Sequence, residues 1–419
     1  MAEFRLLQDR DKEQASALWH ECFGDSDGFC RWFMSEQWNG EYSVAAVEEG
    51  KLVSMIHGRP YTLCIRGRGV PSVIMCGVAT APAYRHRGLM RRCMELFERN
   101  ARDKGAFVLF QSPVDFRIYE WCMQYPSSSS GMLELSEKAR LRGSCYAVDS
   151  ACDDSFAAEL LPLYNDVMRN CSGRVMRTLA NMQNTLRGYQ PDGGRLLRYI
   201  KEGKTLGYAL YYGAEKEVNC IEFMARGRAA RGLLSTLGAM ARGRRMMVRG
   251  TAELLLMGVP KGIRGSLANT TAMGALNVPG LLHELAGFDD VTVEVTDSVI
   301  PENNGVFTFG GKPSKGPVDI KMDSGRLMQL LCGYADIAQL EGQEKAEIVN
   351  RLAAHKLLDR LPTLQCFTAE EYGIIQKGGF RRLFVSSVFN MNHQSSRVRH
   401  AISASRFLRR VSFSFTRSS

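Results

Sequence analysis

Much that would place this chain quickly is missing from it. No apolar run reaches the roughly 18 residues that span a bilayer. The opening stretch MAEFRLLQDRDKEQ is charged throughout and lacks the apolar core of a secretory signal. The 12 cysteines are scattered from Cys22 to Cys366 without a CxxC pair. That argues against zinc and, in so long a chain, against a disulfide framework. Reduced, mostly buried thiols in a cytoplasmic protein are expected. The seven histidines (His20, His57, His86, His283, His355, His393 and His400) show no ligand spacing, so no metal is expected. Pro113-Val114-Asp115 is not a hydrolase elbow. Nothing suggests nicotinamide, flavin or a nucleoside triphosphate.

Acid is absent from the end of the chain. Beyond Glu371 there is none, while Lys377, Arg381, Arg382, Arg397, Arg399, Arg406, Arg409, Arg410 and Arg417 are all positive. The formal net charge of +10 therefore belongs mostly to residues 373–419, and residues 1–372 are close to neutral. The charge of the whole chain is no argument for nucleic-acid binding. The tail interleaves Phe380, Phe384, Phe389, Phe407, Phe413 and Phe415 with its arginines and shows no sustained period. It reads as loosely structured, as an altered reading frame, or as a basic arm for nucleic acid or anionic membrane.

What is present is ordinary globular composition, 45% apolar and 23% charged, over 419 residues, enough for two or three domains. Lys12–Trp38 has helical spacing. Tyr42–Val47, the turn Glu48-Glu49-Gly50-Lys51 and Leu52–Tyr61 read as a hairpin. Strands follow at Thr62–Ile65 and Val73–Thr80. A helix over Gly88–Asp103 carries Leu89, Cys93, Leu96, Phe97 and Ala101 on one face. Phe107–Gln111 is a short buried strand, and Pro126 with Ser127–Ser130 marks a loop.

The segment VIMCGVATAPAYRHRGLMRR, residues 73–92, is the most informative. An apolar strand feeds a helix start through an Arg/Gly loop. Helix N-termini offer amides without intrahelical partners and a favourable dipole for anions. Gly88 permits close approach and the arginines add charge. A pyrophosphate fits such a site. A solvated basic helix start is the plainer alternative.

The plan repeats. Phe156–Cys171 reads as helical, Leu196–Ile200 and Leu206–Tyr212 flank the turn Lys201-Glu202-Gly203-Lys204, and Val218–Met224 precedes Arg231-Gly232-Leu233-Leu234. EEGK and KEGK hold equivalent places, which suggests an ancient duplication. The second copy lacks the Pro-x-Tyr loop, so its cradle is expected not to function. Leu254–Met257 and Leu281–Phe288 complete this half. From Val293 the strands Val293–Val299, Gly305–Phe309 and Pro317–Ile320, with helices over Arg326–Cys332 and Lys345–His355, form a third α+β module.

Strand, loop, Arg85, Gly88 and helix together resemble the acyl-CoA-binding motif of the GNAT N-acetyltransferases. The order of modules, with VATAPAYRHRGLMRRCM, IPENNGVFTF and RLMQLLCGY, is similar to the Eis (enhanced intracellular survival) branch. The resemblance implies an α+β chain: a catalytic GNAT domain over 1–145, a degenerate second one over 146–292, a sterol-carrier-protein-like domain over 293–372 and the basic tail over 373–419.

It also implies acetyl-CoA as co-substrate. Val78, Ala79 and Thr80 would lie along the pantetheine arm, the Val78 amide serving the thioester carbonyl. Arg85, His86, Arg87, Gly88, Leu89 and Met90 would wrap the pyrophosphate. A tyrosine would protonate the departing thiolate. Tyr119 matches by its Ile-Tyr context. The family's Phe-Gly-Tyr or Phe-Gly-Phe ending reads Met123-Gln124-Tyr125 here, so Tyr125 stays a second candidate. For either, core packing is the plainer alternative. Eis-like proteins use the terminal carboxylate as base, and CFTAEEY (366–372) looks like such an ending. Residues 373–419 would displace it, weakening catalysis or leaving Glu370 or Glu371 to substitute.

The activity implied is acetyl transfer to a primary amine (an aminoglycoside, polyamine or lysine-like group) in a ternary complex, by a homo-oligomer, possibly a hexamer. Neither nucleic acid nor membrane is expected to bind the body of the chain. Asp25, Asp27 and Glu36 are available to line a cation pocket but carry no assignment. Two other classes stay open. One is a tandem-GNAT aminoacyltransferase that uses aminoacyl-tRNA; the other is a non-enzymatic apolar-ligand binder.

Overall fold

A computed structural model describes residues 2–136, 141–256 and 263–369. The first unit runs β1 (Glu3–Leu6), α1 (Lys12–Phe23), α2 (Asp27–Trp32), β2 (Val44–Glu48), β3 (Lys51–Ile65), β4 (Arg68–Thr80), α3 (Leu89–Asp103), β5 (Val108–Gln111) and β6 (Tyr125–Leu135). The expected single helix over 12–38 is broken. Gly24 takes a left-handed φ of 67° that ends α1, Ser26 caps α2, and a π-helical turn covers Phe33–Gln37. Strands expected over 52–61 and 62–65 are one strand, because Thr62 pairs with Pro71 and the ladder continues to Ile65 and Arg68.

The second unit runs β7 (Ala147–Ala151), α4 (Ala157–Met168), β8 (Cys171–Ser172), β9 (Arg174–Val175), α5 (Leu179–Tyr189), β10 (Arg195–Lys201), β11 (Lys204–Gly213), β12 (Glu217–Ala225), α6 (Gly227–Met240), β13 (Arg245–Gly250) and β14 (Ile263–Ala275). The hairpin turns of the two units correspond. Glu49 and Gly50 have φ of 53° and 76°, and Glu202 and Gly203 have 51° and 72°. Paired left-handed residues are what a two-residue loop needs to match strand twist.

Both units share one 13-stranded sheet, in the order β1-β2-β3-β4-β5-β14-β6-β13-β12-β11-β10-β7 with β9 on the side of β3. The neighbour of β5 is therefore β14, the last strand of the second unit, while β6 from the first unit lies between β14 and β13. Each unit is closed by a strand from the other's stretch of chain. The loop expected over Ser127–Ser130 is instead the middle of β6, at the centre of this sheet. Its serine hydroxyls are satisfied by neighbours: Ser129 donates to Asn269, Ser130 pairs with Thr270, and Ser127 donates to the Tyr125 carbonyl. Polar composition was no guide to a strand whose hydroxyls have partners.

The third unit holds α7 (Val278–Leu285), β15 (Thr292–Thr296), β16 (Gly305–Thr308), β17 (Ile320–Asp323), α8 (Ser324–Cys332), α9 (Ile337–Gly342), β18 (Glu347–Ile348), α10 (Arg351–Arg360) and β19 (Gln365–Cys366). Its four strands order as β16-β15-β17-β18. The helix expected over 345–355 begins only at Arg351 with α10; its first half holds the short strand β18, and α9 ends before it. The fully buried α8 residues Leu327, Met328, Leu330 and Leu331 belong to the same core as Trp19 and Phe33 of the first unit. β19 pairs in parallel with β8, so residues 365–369 thread between the units. Phe367 is completely buried there, with its amide on the Ser172 carbonyl and the Thr368 amide on Ser128 Oγ. Glu370, Glu371 and the tail lie outside the described residues. Among the described residues no helix is long and apolar enough to cross a membrane, and no cysteine is in a disulfide.

Candidate active site

The strands β4 and β5 run parallel but stay together only briefly. Ser72, Val73 and Ile74 pair with Val108, Leu109 and Phe110, and there the ladder stops. β4 goes on to Thr80 with a strand partner only on the β3 side, while β5, paired on its other side with β14 from Val108–Ala275 to Gln111–Ala272, ends one residue past the last shared rung. Two parallel strands that separate leave a wedge, and the backbone of residues 75–80 lines one of its sides.

Within that stretch the β3–β4 register shifts between Met55 and His57, so that Gly77 and Val78 stand opposite Ile56 alone. This is a β-bulge, which breaks the ladder locally and re-aims the backbone. Gly77 has φ of 57°, and a Cβ there would lie 2.2 Å from the Trp19 ring and 2.9 Å from His57 Cδ2. Only glycine fits. Val78, Ala79 and Thr80 follow on the cleft-lining strand, and the Ser54 hydroxyl fixes this end by bonding the Ala79 carbonyl and the Thr80 hydroxyl.

Beyond Thr80, a short turn over Pro82–Tyr84 leads to α3. Gly88 is its N-cap, with φ of 74°, and no side chain caps the helix. The first backbone bond back to the cap is from the Arg92 amide. The Leu89, Met90 and Arg91 amides precede it and so lack intrahelical partners. A Cβ on Gly88 would meet nothing within 4 Å. The corner is open, and uncapped amides with the positive end of the dipole face it. These residues fit a diphosphate. His86 also takes a left-handed φ, 63°. The arginine side chains are turned elsewhere: Arg87 onto Glu48 at 2.9 Å and over the Tyr84 ring, Arg85 onto the Thr80 carbonyl at 3.1 Å. What the loop offers the corner is main chain.

Tyr119 lies in a 3-10 turn over Phe116–Cys122, buried in an apolar cluster that includes Leu89 and against which Val78 and Met90 also pack. Arg91 stacks on Trp121 at 4.3 Å, tying this turn to the first turn of α3. Among the described residues its hydroxyl has no hydrogen-bond partner, and burial pushes its pKa far up, so it keeps its proton. Tyr125 is placed differently. Its hydroxyl donates to Asp323 at 3.2 Å and Arg326 lies 3.5 Å over its ring, both from the third unit.

The acidic residues near the first helices do not converge. Asp25 is buried, accepts from Trp19 Nε1 at 2.8 Å and is pushed up to about 6 by burial. Asp27 stands 3.6 Å from His20, and Glu36 pairs with Arg187 of the second unit at 2.8 Å. Sequence reasoning missed two groups beside the cleft. His57 is buried with neither ring nitrogen bonded among the described residues, and burial drives it down to about 3. Glu98 on α3 is buried and pushed up to about 8. Neither stands in a motif; helical spacing against Met94 and Ala101 was the sole hint that Glu98 points inward.

The second unit has no such wedge. β12 and β13 pair from Glu217–Arg245 to Cys220–Val248 and, past a register shift, again at Phe223–Gly250, and α6 starts with Arg226 as its cap, directly after β12 ends at Ala225.

Residues 3–121 match the family model of the acetyltransferase (GNAT) domain, and residues 278–365 that of the sterol carrier protein domain. No curated protein matches the chain. Several solved structures share its fold. A GCN5-related N-acetyltransferase from Anabaena variabilis aligns over 88% of this chain and 99% of its own, with a TM-score of 0.73 and 16% identity. A probable N-acyltransferase from Enterococcus faecalis aligns over 87% and 97%, with a TM-score of 0.71 and 17% identity. Eis1 from Mycobacterium abscessus aligns over 89% and 100%, with a TM-score of 0.66 and 16% identity. The chain is thus Eis-like in build, a GNAT acetyltransferase domain and a sterol carrier protein domain joined in the fold that Eis1 has.

Proposed function

We propose that the chain transfers acetyl from acetyl-CoA to a primary amine, of aminoglycoside, polyamine or lysine type, by direct attack in a ternary complex. The observation that carries this reading is the open, uncapped start of α3 at Gly88, beside the wedge where β4 leaves β5. Leu89 and Met90 amides, with the His86–Gly88 backbone, hold the diphosphate there. Val78, Ala79 and Thr80 present main chain to the pantetheine arm, as an added strand does.

The amine nitrogen forms a bond to the acetyl carbon while the carbon–sulfur bond breaks. The Val78 amide, freed by the bulge at Gly77, faces the carbonyl oxygen as charge develops on it. The Tyr119 hydroxyl gives its proton to the departing thiolate. Having no hydrogen-bond partner among the described residues and a raised pKa, it suits an acid that must stay protonated until that moment. Tyr125 is already engaged by Asp323, which favours Tyr119 for the role. The amine's own proton passes to a carboxylate from the end of the chain. The same reading carries a cytoplasmic homo-oligomer.

Calorimetry with acetyl-CoA, followed by turnover on a panel of amines, tests it. Saturable binding and N-acetylated product are expected. Failure to bind acetyl-CoA overturns the assignment, and bound lipid in such a preparation would favour the apolar-ligand alternative.

A further inference from the structure

Four buried groups beside the wedge form a continuous chain that the reaction above does not use. Gln111 Nε2 donates to Gln124 Oε1 at 2.5 Å, and Gln124 Nε2 donates to Glu98 Oε1 at 2.7 Å. Glu98 also interacts with the Cys122 thiol. Gln111, Gln124, Glu98 and Cys122 are all 4% exposed or less. Each end is anchored where it matters. Gln111 closes β5, one residue beyond the last rung shared with β4. Glu98 sits on α3, whose first turn is the cradle.

Between them the chain grips the Tyr119 turn. The Gln124 amide donates to the Tyr119 carbonyl at 3.3 Å, and Cys122 Sγ donates to the same oxygen at 3.1 Å. The residue between, Met123, has a left-handed φ of 56°. That conformation is unfavourable for a non-glycine residue and needs its surroundings to hold it. Gln124 holds it by main chain on one side and by both ends of its carboxamide on the other.

We infer that Glu98, acting through Gln124 and Cys122, is the positioning residue that sets the Tyr119 hydroxyl against the cleft between β4 and β5. The inference rests on the reading of Tyr119 as the acid. Glu98 serves in its neutral form. Burial is the main cause of its raised pKa of about 8, with Asp297 and Glu95 adding repulsion and the Gln124 and Cys122 bonds opposing the rise. Gln124 and Cys122 are neutral, so no described cation balances a charge at this point of the chain. Ionisation would place an unpaired carboxylate between α3 and the Tyr119 turn, and the turn would yield.

The test is steady-state kinetics on the full chain from pH 6 to 9.5, with Glu98→Gln, Glu98→Leu, Tyr119→Phe and the Tyr119→Phe/Glu98→Leu pair. Glu98→Gln preserves a neutral hydrogen-bonding group. It is expected to keep kcat within about twofold at pH 7 and to outperform the natural chain increasingly above pH 8. Glu98→Leu is expected to lose tenfold or more in kcat with KM for acetyl-CoA nearly unchanged, and to cost nothing further in the Tyr119→Phe background. If Glu98→Leu fails to fold, Gln111→Leu cuts the chain at its other end and should show the same split of kcat against KM. Identical pH profiles for Glu98→Gln and the natural chain, or additive losses in the pair, overturn the inference. A Tyr119→Phe chain with unchanged kcat defeats the acid assignment instead.

Discussion

Arg177 and Glu222 meet in a two-pronged ion pair, at 2.8 and 2.6 Å, and neither side chain is more than 2% exposed. Tyr208 donates to the same carboxylate at 2.6 Å, and Arg177 also reaches the Ala369 carbonyl at the end of the threaded segment. A buried pair is strongly felt when one partner goes, because the other is left charged and desolvated. Arg177→Met should lower the unfolding free energy by about 3–5 kcal/mol. Arg177→Met with Glu222→Leu should recover most of that. Urea midpoints at pH 7 decide, and a double variant no better than the single would show that the two charges are not coupled.

His57 and Glu98 should tilt stability in opposite directions with pH. An unfolded histidine takes its proton near 6.5, whereas His57 resists until about 3. Its depressed pKa contributes stability above 6.5 that is lost as pH falls toward 3. Glu98 is raised from 4.5 to about 8. Its contribution is whole below 4.5 and is lost as pH rises through 8. Each slope is at most about 1.4 kcal/mol per pH unit. Glu98→Gln should flatten the loss above pH 4.5, and His57→Leu the loss below 6.5, in urea titrations across pH 4 to 9. Parallel curves for variant and natural chain would contradict the burial of either charge-averse group.

Gly77 and Gly88 both need a positive φ, yet a methyl group should harm them differently. At Gly77 the new Cβ would sit 2.2 Å from the Trp19 ring, inside the aromatic packing of α1. At Gly88 it would project into open space. Gly88→Ala should cost about 1–2 kcal/mol of stability from the left-handed backbone alone. It should also raise the Kd for acetyl-CoA, since the methyl would occupy the room above the helix amides. Gly77→Ala should destabilise more and lower kcat by moving the bulge. Thermal melts and calorimetry separate the two. Equal acetyl-CoA affinity for Gly88→Ala and the natural chain would remove the cradle from Gly88.

The strand, loop and uncapped helix start at Gly88 were legible because their signal is local. Apolar strand, Arg/Gly loop and amphipathic helix fall within residues 73–92, and one open glycine marks the turn. The interlock of β6 with β14 was not, because strand partners more than a hundred residues apart leave no trace in hydrophobic period. The polar run at Ser127–Ser130 conceals a central strand for the same reason: its partners are supplied by distant segments. The Tyr119–Tyr125 ambiguity arose from a missing glycine. The left-handed residue that ends the 3-10 turn is Met123, which carries no such preference in sequence. Glu98 and His57 stand in no motif, and only packing shows that both are enclosed.

Tyr119→Phe and Tyr125→Phe should fail in different assays. If Tyr119 is the acid as proposed, removing its hydroxyl should cost about 10²–10⁴ in kcat, the contribution of a general acid. No described hydrogen bond is broken, so the melting temperature should hold. Removing the Tyr125 hydroxyl breaks the bond to Asp323 between the first and third units. The expected cost is about 1 kcal/mol of stability, with kcat largely kept. The reverse pattern would transfer the acid role to Tyr125.

The path of residues 365–369 bears on the base. Strand β19 brings the end of the third unit against β8, and Arg249 and Arg177 hold the Thr368 and Ala369 carbonyls as the chain passes between the first two units. The described chain therefore ends, at Ala369, held beside the shared sheet by groups of both units. In the Eis-like reading the base is the terminal carboxylate, and CFTAEEY would supply it at Tyr372. With residues 373–419 present the chain has no terminus at that position, and on the proposed mechanism catalysis would be weakened or Glu370 or Glu371 would substitute. A chain stopped after Tyr372 should therefore acetylate amines at least tenfold faster than the full chain, given that a positioned base contributes about 10²–10⁴. In the full chain, Glu370→Gln with Glu371→Gln should remove the remaining activity, whereas in the shortened chain it should matter little. Acetyl-CoA turnover at pH 7.5 measures all four proteins. Equal rates for the long and short chains would show that the tail leaves the base undisturbed and that the proton goes elsewhere.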